Sequence, residues 1–336
     1  MPAGIGASNY MAIVPEVTMG TYLPPTTAGA IFVPFLTESL VYNETKYVSK
    51  QIRQSAVASE VAKGPYHVEG DITMEADTQF LPMLLYASRH TITKTGAAAP
   101  FTYTFVPSSA GSASSTVGLN QRTLSISVVR NGVGFGYGGC TLGSISFTVE
   151  DGVLRFTAAV RGLTETDPAA NGTPAWVNSK LLGADTMAVF TDAAGASPTF
   201  AAAAVVDFNG YTFEANHNPD PQNRIVRNRG AGYIKFGETE VTVNTELDFI
   251  DKSEYNNFKN STYKAIRLEA LGDGVTAFTT SDNAIRIDLN RAFYSEYTVD
   301  SGAMDDIVSA SSVFTGVGVA GGSAYKISVK STQDVT

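Results

Sequence analysis

The fold class is decided by residues 143–156, GSISFTVEDGVLRF. The first half of this stretch alternates apolar residues with Ser and Thr, which is the pattern of a half-buried β-strand. Asp151-Gly152 then separates it from a second run, Val153 to Arg161. An Asp-Gly pair between two alternating runs is a strong signal for a β-hairpin. The stretch therefore predicts two antiparallel strands joined by a two-residue turn.

The same period of two recurs along most of the chain. It is found in residues 124–128, 241–249, 285–289 and 325–329. Only two stretches favour helices. Thr78 to Arg89 carries an apolar stripe with Asp77 or Thr78 as the predicted N-cap, and a capping box at Asp251 predicts a short helix to about Asn260. We therefore expect a mostly β fold with two short helices.

The two predicted helices indicate an internal repeat, because each follows a strand with acidic residues at its end. Gly70 to Glu75 precedes the first helix and Glu240 to Glu246 the second, and the two caps are about half the chain apart. The sequence therefore predicts two similar β domains. Their predicted boundaries are an N-terminal arm, 1–30, a first domain, 31–165, a linker rich in Ala, Gly and Pro, 166–204, and a second domain, 205–336.

Composition narrows the class of protein. Of the 336 residues, 43% are hydrophobic and 16% are charged, which favours a folded protein over a disordered one. The net charge of −9 opposes a general attraction to nucleic-acid phosphates. The single Cys140 cannot form a disulfide within the chain. We find neither a signal-peptide pattern nor an apolar run long enough for a membrane helix, so we expect assembly in a bacterial cytoplasm without a membrane.

Two long polar excursions, Asn43 to His67 and Asn216 to Gly232, interrupt the strand pattern. One interpretation is a pair of solvated loops. The other is a pair of arms that dock on the neighbouring ring of an assembly, with the arginines alternatively contacting solvent or nucleic-acid phosphate. The candidate inter-ring contacts are Lys46, Val48, Lys50, Ile52, Arg53, Val57, Val61, Arg224, Arg227 and Arg229.

Several residues could suggest a chemical site, but their context favours structural roles. Gly134 to Gly139 fits the GxGxxG pattern, yet a strand rather than a helix is predicted to follow it. His67, His90 and His217 lack a metal-ligand spacing, and we expect them on the surface or in loops. Cys140 has no identifiable base nearby in sequence and is expected as a small buried residue. We therefore predict no catalytic, cofactor or metal site and no enzymatic activity.

Six segments occur in an order that is typical of one known family. They are Glu16 to Tyr22 followed by Pro24-Pro25, Glu38-Ser39-Leu40, Gly70-Asp71-Ile72, the helix Phe80 to Ala87, Gly138 to Phe147, and Phe249 to Asn260. In this order the chain resembles the major tail tube proteins of long-tailed, siphovirus-like bacteriophages, and in particular their larger members with a duplicated domain. The resemblance implies two tandem β-sandwich or barrel-like domains, each flanked by a short α-helix, with long arms between subunits.

The resemblance also implies a function. The subunit would assemble into stacked rings that form a hollow conduit for DNA delivery, first in the host cytoplasm and finally in the virion tail. A duplicated chain would form trimeric rings with pseudo-sixfold symmetry, hexamers being the alternative. The implied partners are further copies of the chain, a tape-measure protein, a tail terminator and distal tail or baseplate proteins. DNA would pass without specific binding through a lumen kept negative.

Two other classes compete with this interpretation. A virion or surface adhesin of the β-sandwich type would also have strands rich in Ser, Thr and Gly. It would form a discrete oligomer with exposed recognition loops. An inner tube of a contractile system is related in fold but normally has a single domain, so the predicted duplication argues against it.

Overall fold

The computed structural model describes residues 6–51, 57, 60–107, 122–168, 170–177, 181–195, 198–200, 204–205, 208–223, 229–272, 277–301, 307–319 and 323–334. The chain is mostly β, as predicted. In its first half the elements are β1 (Tyr10–Pro15), β2 (Ile31–Val33), β3 (Thr37–Glu38), β4 (Val41–Val48), β5 (Val61–Glu75), α1 (Leu81–Tyr86), β6 (His90–Thr95), β7 (Phe101–Pro107), β8 (Leu124–Arg130), β9 (Val133–Glu150), β10 (Val153–Gly162) and β11 (Thr164–Thr166).

The second half has a similar series. Its elements are β12 (Met187–Ala193), β13 (Ala204–Val205), β14 (Phe208–Asn216), β15 (Pro219–Asn223), β16 (Ala231–Phe236), β17 (Glu240–Asp248), α2 (Ser253–Lys259), β18 (Lys264–Leu271), β19 (Ala284–Asp300), β20 (Ser309–Gly316) and β21 (Tyr325–Ser331). One 3-10 turn precedes β1, at Gly6–Ser8, and another precedes β12, at Ala184–Thr186.

The hairpin predicted from residues 143–156 is confirmed as β9 and β10, which pair from Glu150 opposite Val153 onward. Asp151 and Gly152 both have positive φ angles, 52° and 73°. A two-residue turn of this kind matches the right-handed twist of the strands that it joins. A strand and not a helix follows the GxGxxG pattern, as predicted, and Gly134 to Gly139 itself already lies within that strand, β9.

The order of paired strands in the first half recurs in the second. In the first half β1 pairs with β8, β8 with the start of β9, and the end of β9 with β10, which pairs with β5. In the second half β12, β18, β19, β20 and β17 pair in the same sequence. We call residues 10–166 the first repeat and residues 187–331 the second repeat.

The long strand of each repeat has a β-bulge at the same place. In β9 the register shifts between Leu142 and Ser144, and in β19 it shifts between Tyr294 and Glu296. A bulge adds one residue to a strand and bends it. Because the bulges coincide, the residues of the two repeats can be matched one by one.

The predicted arm, 1–30, and the predicted linker, 166–204, each contain a strand of these ladders. β1 lies in the arm and β12 in the linker. Met11 and Ile13 of β1 are fully buried against β8, since apolar side chains of an alternating strand gain free energy on leaving water. The domain boundaries themselves stay predictions.

Hydrogen-bonded strands join the two repeats into one sheet. The end of β9 pairs with β14 of the second repeat, so eight strands follow in the antiparallel order β4–β5–β10–β9–β14–β17–β20–β19. We call these strands the eight-stranded sheet. A second link is formed by the β6–β7 hairpin, which pairs with β21 and has no counterpart among the described residues of the second repeat.

One face of the eight-stranded sheet carries the apolar core. Phe147, Phe156 and Phe213 are fully buried there on three adjacent strands. Burial of a Phe side chain contributes about 1.5–3 kcal/mol relative to an exposed one. The core is continuous through both repeats, which are therefore packed as one body rather than joined by a linker alone.

The helices are shorter than predicted. α1 begins after Phe80 and not at Asp77 or Thr78, because Asp77 Oδ1 accepts the backbone N–H of Gln79 at 2.7 Å in a turn that comes before the helix. Asp251 Oδ1 likewise accepts the N–H of Ser253 at 2.6 Å, which places Asp251 one residue before the N-cap of α2. Among the described residues no helix has the length and apolar character needed to span a bilayer.

Candidate assembly interfaces

The eight-stranded sheet ends in two edges, β4 and the second half of β19. Within the described part of the chain, β4 pairs on one side only, with β5. Residues 293–300 of β19 likewise pair on one side only, with β20. Val41 on β4 is 54% exposed and Val299 on β19 is 40% exposed. An open edge presents unpaired N–H and C=O groups, which are a template for pairing with another chain.

The two strands at the open edges are the counterparts of β9 and β14, the two strands that pair where the repeats meet. β19 is the counterpart of β9, and β4, which pairs with β5, is the counterpart of β14, which pairs with β17. At the internal junction Phe147 lies opposite Phe213, and Ile145 lies opposite Ala215. The chain therefore contains, between β9 and β14, one complete example of the strand pairing that β19 and β4 lack on their outer sides.

The other face of the eight-stranded sheet is polar and acidic. It carries Ser, Thr and Asn, together with Arg155 and Arg161, which pair with Glu150 and Glu69. Acidic side chains outnumber these arginines ten to two on the described part of the face. They are Glu69, Asp71, Glu75, Glu150, Glu214, Glu240, Glu246, Asp248, Glu296 and Asp300.

The first excursion is a long hairpin, because β4 and β5 pair along most of it. Its tip, residues 48–61, begins and ends with Val48 and Val61, which lie opposite each other and are 51% and 61% exposed. Val57 is 77% exposed. Lys46 lies on β4 and Lys50 follows it, whereas Ile52 and Arg53 lie outside the described residues.

The second excursion contains the β15–β16 hairpin. Arg224 and Arg227 lie outside the described residues, but Arg229 is described and contacts the first excursion. Its guanidinium pairs with Glu44 and lies 5.7 Å from the ring centroid of Tyr66, whose N–H donates to the carbonyl of Arg229 at 3.0 Å. The two excursions thus meet within the chain. Their contacts with a neighbouring ring stay a prediction.

A buried carboxylate was not anticipated from the sequence. Glu16, 9% exposed, follows β1 and accepts four hydrogen bonds of 2.6–2.8 Å. Their donors are the N–H groups of Gly20 and Gly139 and the hydroxyls of Thr123 and Ser125. Such a carboxylate fixes the chain after β1 to the β8–β9 ladder. Its only sequence signal is an acidic residue directly after an apolar strand.

Cys140 is buried, as expected from its sequence context. Burial, and secondarily the Glu16 carboxylate, raises the pKa of its thiol well above the usual value. The thiol therefore stays protonated and unreactive at neutral pH.

Two of the three histidines are buried together. The expectation of a surface or loop position is wrong for His90, which lies on β6, whereas His217 lies in the loop between β14 and β15 but is buried there. His90 and His217 have no exposed surface, and their ring centroids are 5.4 Å apart. His90 Nε2 is hydrogen-bonded to the Tyr325 hydroxyl at 2.8 Å. His217 Nδ1 is bonded to Thr239 Oγ1 at 3.1 Å, and its Nε2 has no hydrogen-bond partner among the described residues. The sequence could not show this, because packing of the repeats brings these rings together.

Both histidines are held in the neutral form. Burial, reinforced by the other histidine, lowers the pKa of His90 well below its usual value. Burial and the nearby Arg89 guanidinium lower the pKa of His217 to about 4. No cluster of three or more His, Cys, Asp or Glu that could hold a metal ion occurs in the described ranges. The pair therefore acts here as part of the core between the repeats.

The fold and its surfaces define a structural subunit that is suited to association through its strand edges. Comparison with families of known proteins gives the same class, since a family described as phage tail tube protein matches residues 6–324. The chain belongs to the phage tail tube protein family and is a structural component of the tail, in which copies of the chain assemble into a tube. This family is not a class of enzymes. No protein with a curated description matches the chain.

Proposed function

We propose that the chain forms trimeric rings with pseudo-sixfold symmetry, and that stacked rings form a hollow conduit for DNA delivery. One observation carries the proposal: the two repeats are joined by the β9–β14 contact, while the outer edges of the sheet are a β9-type and a β14-type strand. If β19 of one copy pairs with β4 of the next copy, the contact between β9 and β14 recurs between neighbouring copies all around the ring. Closed rotational symmetry then leaves no lateral edge unpaired.

The matched repeats also give the register of this lateral contact. Val299 on β19 corresponds to Phe147 on β9. Each lies at the same distance from the bulge of its own strand, and each is opposite a buried residue of the neighbouring strand, β20 for Val299 and β10 for Phe147. Tyr42, opposite Val68, corresponds to Ala215, opposite Val241. In the ring Tyr42 would therefore lie opposite Tyr297 of the neighbour, and Val41 opposite Thr298.

In such a ring the polar face of the eight-stranded sheet lines the lumen, because the other face is occupied by the core. Its excess of carboxylates gives the lumen a negative potential. DNA phosphates are repelled by this surface and do not bind to it, so the genome can slide. At physiological salt the repulsion acts over roughly 8 Å.

Both excursions support stacking in one direction. The β4–β5 tip and the β15–β16 hairpin lie at the same end of the sheet, as the bridge between Tyr66 and Gly230 indicates. The β9–β10 turn lies at the opposite end, because β5 runs from the tip to Glu75, which pairs with Arg155 next to that turn. The tip would contact the next ring through Val48, Val57 and Val61. A tape-measure protein, a tail terminator and distal tail or baseplate proteins would then set the length and the ends of the tube.

The experiment combines negative-stain microscopy and native mass measurement with one cysteine pair. Val41→Cys and Thr298→Cys face each other in the proposed contact, where Cβ atoms of opposite residues lie about 4.5–5.5 Å apart. Mixed single-cysteine variants should form a covalent dimer within rings whose mass is that of three chains, and neither variant alone should do so. The native Cys140 is buried and does not compete.

Three results would contradict the proposal in different ways. Rings with the mass of six chains would replace the trimer by the hexamer. Rings without the disulfide would reject the β4–β19 contact. Compact particles at all salt and protein concentrations, also in the presence of preformed tail ends, would favour the adhesin.

A further inference from the structure

The two excursions begin as the same hairpin, which occurs once in each repeat. In both, the strand pairing of the eight-stranded sheet continues outwards past a break in register. The matching pairs on the two sides of the break are Asn43–His67 with Asn216–Glu240, and Lys46–Lys63 with Pro219–Phe236. A glycine lies at the break in each hairpin, Gly64 in the first and Gly237 in the second. The residues at the bases of the two hairpins can therefore be matched one by one.

The close approach at these glycines supports the match. A Cβ at Gly64 would lie 2.6 Å from the carbonyl oxygen of Thr45, and one at Gly237 would lie 3.0 Å from the Cβ of Asn218. Thr45 and Asn218 occupy the same place in the two hairpins, directly before Lys46 and Pro219. Lys46 is thus the counterpart of Pro219.

The base of the second hairpin closes onto the first repeat. Its Pro219 packs on Gly143, the residue that the bulge adds to β9, and a Cβ at Gly143 would lie 3.4 Å from the Cβ of Pro219. The N–H of His217 donates to the carbonyl of Gly143 at 2.8 Å. Gly143 is buried. Where the repeats meet, the hairpin base of one repeat therefore covers the bulge of the other.

The bulge of the second repeat is exposed instead. Ser295 is the residue that this bulge adds to β19, and Glu296 follows it at the open edge. Lys46, on the other open edge, is also exposed. Neither Lys46 nor Glu296 forms an ion pair with another described residue. The two open edges thus carry opposite charges at the places that correspond to Pro219 and to the residue after Gly143.

The residues that differ between the two places complement each other. The rigid ring of Pro219 requires a glycine beneath it, because a Cβ at Gly143 would lie 2.3 Å from its Cγ. Ser295 has a Cβ, and its opposing residue is Lys46, whose flexible side chain can lie to one side. The residue after the bulge is the uncharged Ser144 in β9 and Glu296 in β19. A carboxylate therefore occurs where a lysine would approach.

We propose that Lys46 of one copy packs over Ser295 of the adjacent copy in the same ring and forms an ion pair with Glu296 beside it. The inference rests on the β4–β19 contact proposed above. The N–H of Glu44 would donate to the carbonyl of Ser295, as that of His217 donates to Gly143. Lys46, a candidate for contacts between rings from its sequence, would then act within one ring.

The ion pair would select the register of the lateral contact. Edges that carry mainly polar residues specify their register weakly, and a slip along β19 would separate Lys46 from Glu296. Opposite charges across a strand pair are stabilising, whereas like charges are destabilising. Because both groups are exposed in the free chain, their attraction is screened by salt. We therefore expect high salt to weaken the lateral contact more than the buried junction of β9 with β14.

A disulfide tests the position of Lys46. Lys46→Cys chains are mixed with Ser295→Cys chains during assembly, and the oxidised products are separated without reductant. The Cβ separation of 3.4 Å at the matched internal place is close to the value of about 3.5–4.5 Å in disulfides. We expect a covalent dimer in the mixture and none in either variant alone. Lys46→Cys mixed with Glu246→Cys is the control and should give none, because Glu246 is exposed but lies on the inner strand β17.

Charge reversal tests the ion pair. Lys46→Glu places a second carboxylate beside Glu296, and it should raise the protein concentration for half-maximal ring formation about tenfold. Adding Glu296→Lys to the same chain should restore assembly. Adding Glu246→Lys instead restores the net charge without the pair and should leave assembly impaired. The urea midpoint of the unassembled chain should not change in Lys46→Glu, because Lys46 is exposed.

Microscopy and native mass measurement of the same samples separate this inference from the proposed function. Rings with the Val41–Thr298 disulfide but without the Lys46–Ser295 disulfide overturn the contact of Lys46 and leave the β4–β19 edge intact. Equal rescue by Glu246→Lys and Glu296→Lys overturns the ion pair, since net charge alone would then decide assembly. An unchanged concentration dependence in Lys46→Glu overturns it as well. Absence of wild-type rings under every condition overturns both proposals.

Discussion

Phe147 and Phe213 lie directly opposite each other where β9 pairs with β14, with ring centroids 6.3 Å apart. Each ring belongs to a different repeat, and both are fully buried. The contact between the repeats is therefore centred on an aromatic pair in the core, so the two repeats are expected to unfold together.

Replacing one of these rings should destabilise the whole chain. Phe213→Ala leaves a cavity beneath the internal junction, and we expect a loss of about 3–5 kcal/mol in the free energy of unfolding. Urea denaturation followed by fluorescence measures it. A double-mutant cycle with Phe147→Ala should give a coupling of about 0.5–1.5 kcal/mol between the rings. Additive effects, or separate transitions for the two repeats, would contradict the role of this pair.

A charge on the open edge should block assembly without unfolding the chain. Val41→Asp places a carboxylate near Glu296 and Asp300 of the neighbouring β19 in the proposed contact, and opposed like charges disfavour strand pairing. We expect ring formation to be lost in native mass measurements. The free energy of unfolding should change by less than about 0.5 kcal/mol, since Val41 is 54% exposed. Val133→Asp, away from the edge, is the control and should assemble normally.

The Glu16 carboxylate should be more important for stability than its position in the sequence indicates. In Glu16→Gln an amide nitrogen replaces one acceptor oxygen, so at least one of the four buried donors loses its partner. We expect a loss of about 1–3 kcal/mol in the free energy of unfolding, measured by urea denaturation. Glu214→Gln, on the exposed polar face, provides the comparison and should have little effect. Equal midpoints for the two variants would refute this role.

Because His90 and His217 are buried in the neutral form, we expect the free energy of unfolding to decrease in acid. The folded-state pKa of His217 is about 4, below the usual value near 6.5, so the unfolded chain binds more protons between these two values. The contribution of His217 to the free energy of unfolding is therefore fully present above about pH 6.5. It is lost as the pH falls towards 4, and the loss is on the order of 3 kcal/mol for His217 alone. His90 adds to the loss in the same direction.

Urea midpoints between pH 7.5 and pH 4.5 measure this dependence. His217→Gln should flatten the curve, even if its overall stability is lower, because the titrating group is absent. His67→Gln is a suitable control, since His67 is partly exposed on β5. An unchanged slope in the His217 variant would assign the acid sensitivity to other groups.

Reversing the charge of a residue in the proposed lumen should make the assembled tube bind DNA. Glu246 is exposed on the polar face of β17, and Glu246→Lys in every copy places a ring of cations in the proposed lumen. We expect assembled tubes of this variant to retain labelled single-stranded DNA in co-sedimentation, and retention should fall with salt. Asp282→Lys makes the same charge change in the exposed loop before β19 and should not retain DNA. Equal retention by both variants would place Glu246 outside the lumen.

The sequence predicted the parts of the fold whose pattern is local. Apolar residues alternate on β9, β10 and β17 because one face of each is buried, and the Asp151-Gly152 turn needs no distant partner. β4 was missed because its residues are mostly exposed, so alternation of apolar and polar side chains is absent from it. The start of α1 was missed because Asp77 turns the chain before the helix instead of capping it.

The buried polar sites could not be predicted, because their members come together only through the tertiary structure. His90 and His217 are neighbours only when β6 and the end of β14 pack side by side. Glu16 meets Thr123 and Gly139 through pairing of β1 with β8 and of β8 with β9. The open edges were expected from the resemblance to tail tube proteins, but the strands that form them and their register follow from the matched repeats.

The pairing of β7 with β21 has a consequence for the order in which a newly made chain can mature. β7 belongs to the first half, yet its partner strand is among the last parts of this sequence to leave the ribosome. Until then the β6–β7 hairpin lacks the neighbour that completes its ladder, and the first half cannot reach its final form independently. Translation itself would thus delay the moment at which a chain becomes competent to join a growing tail.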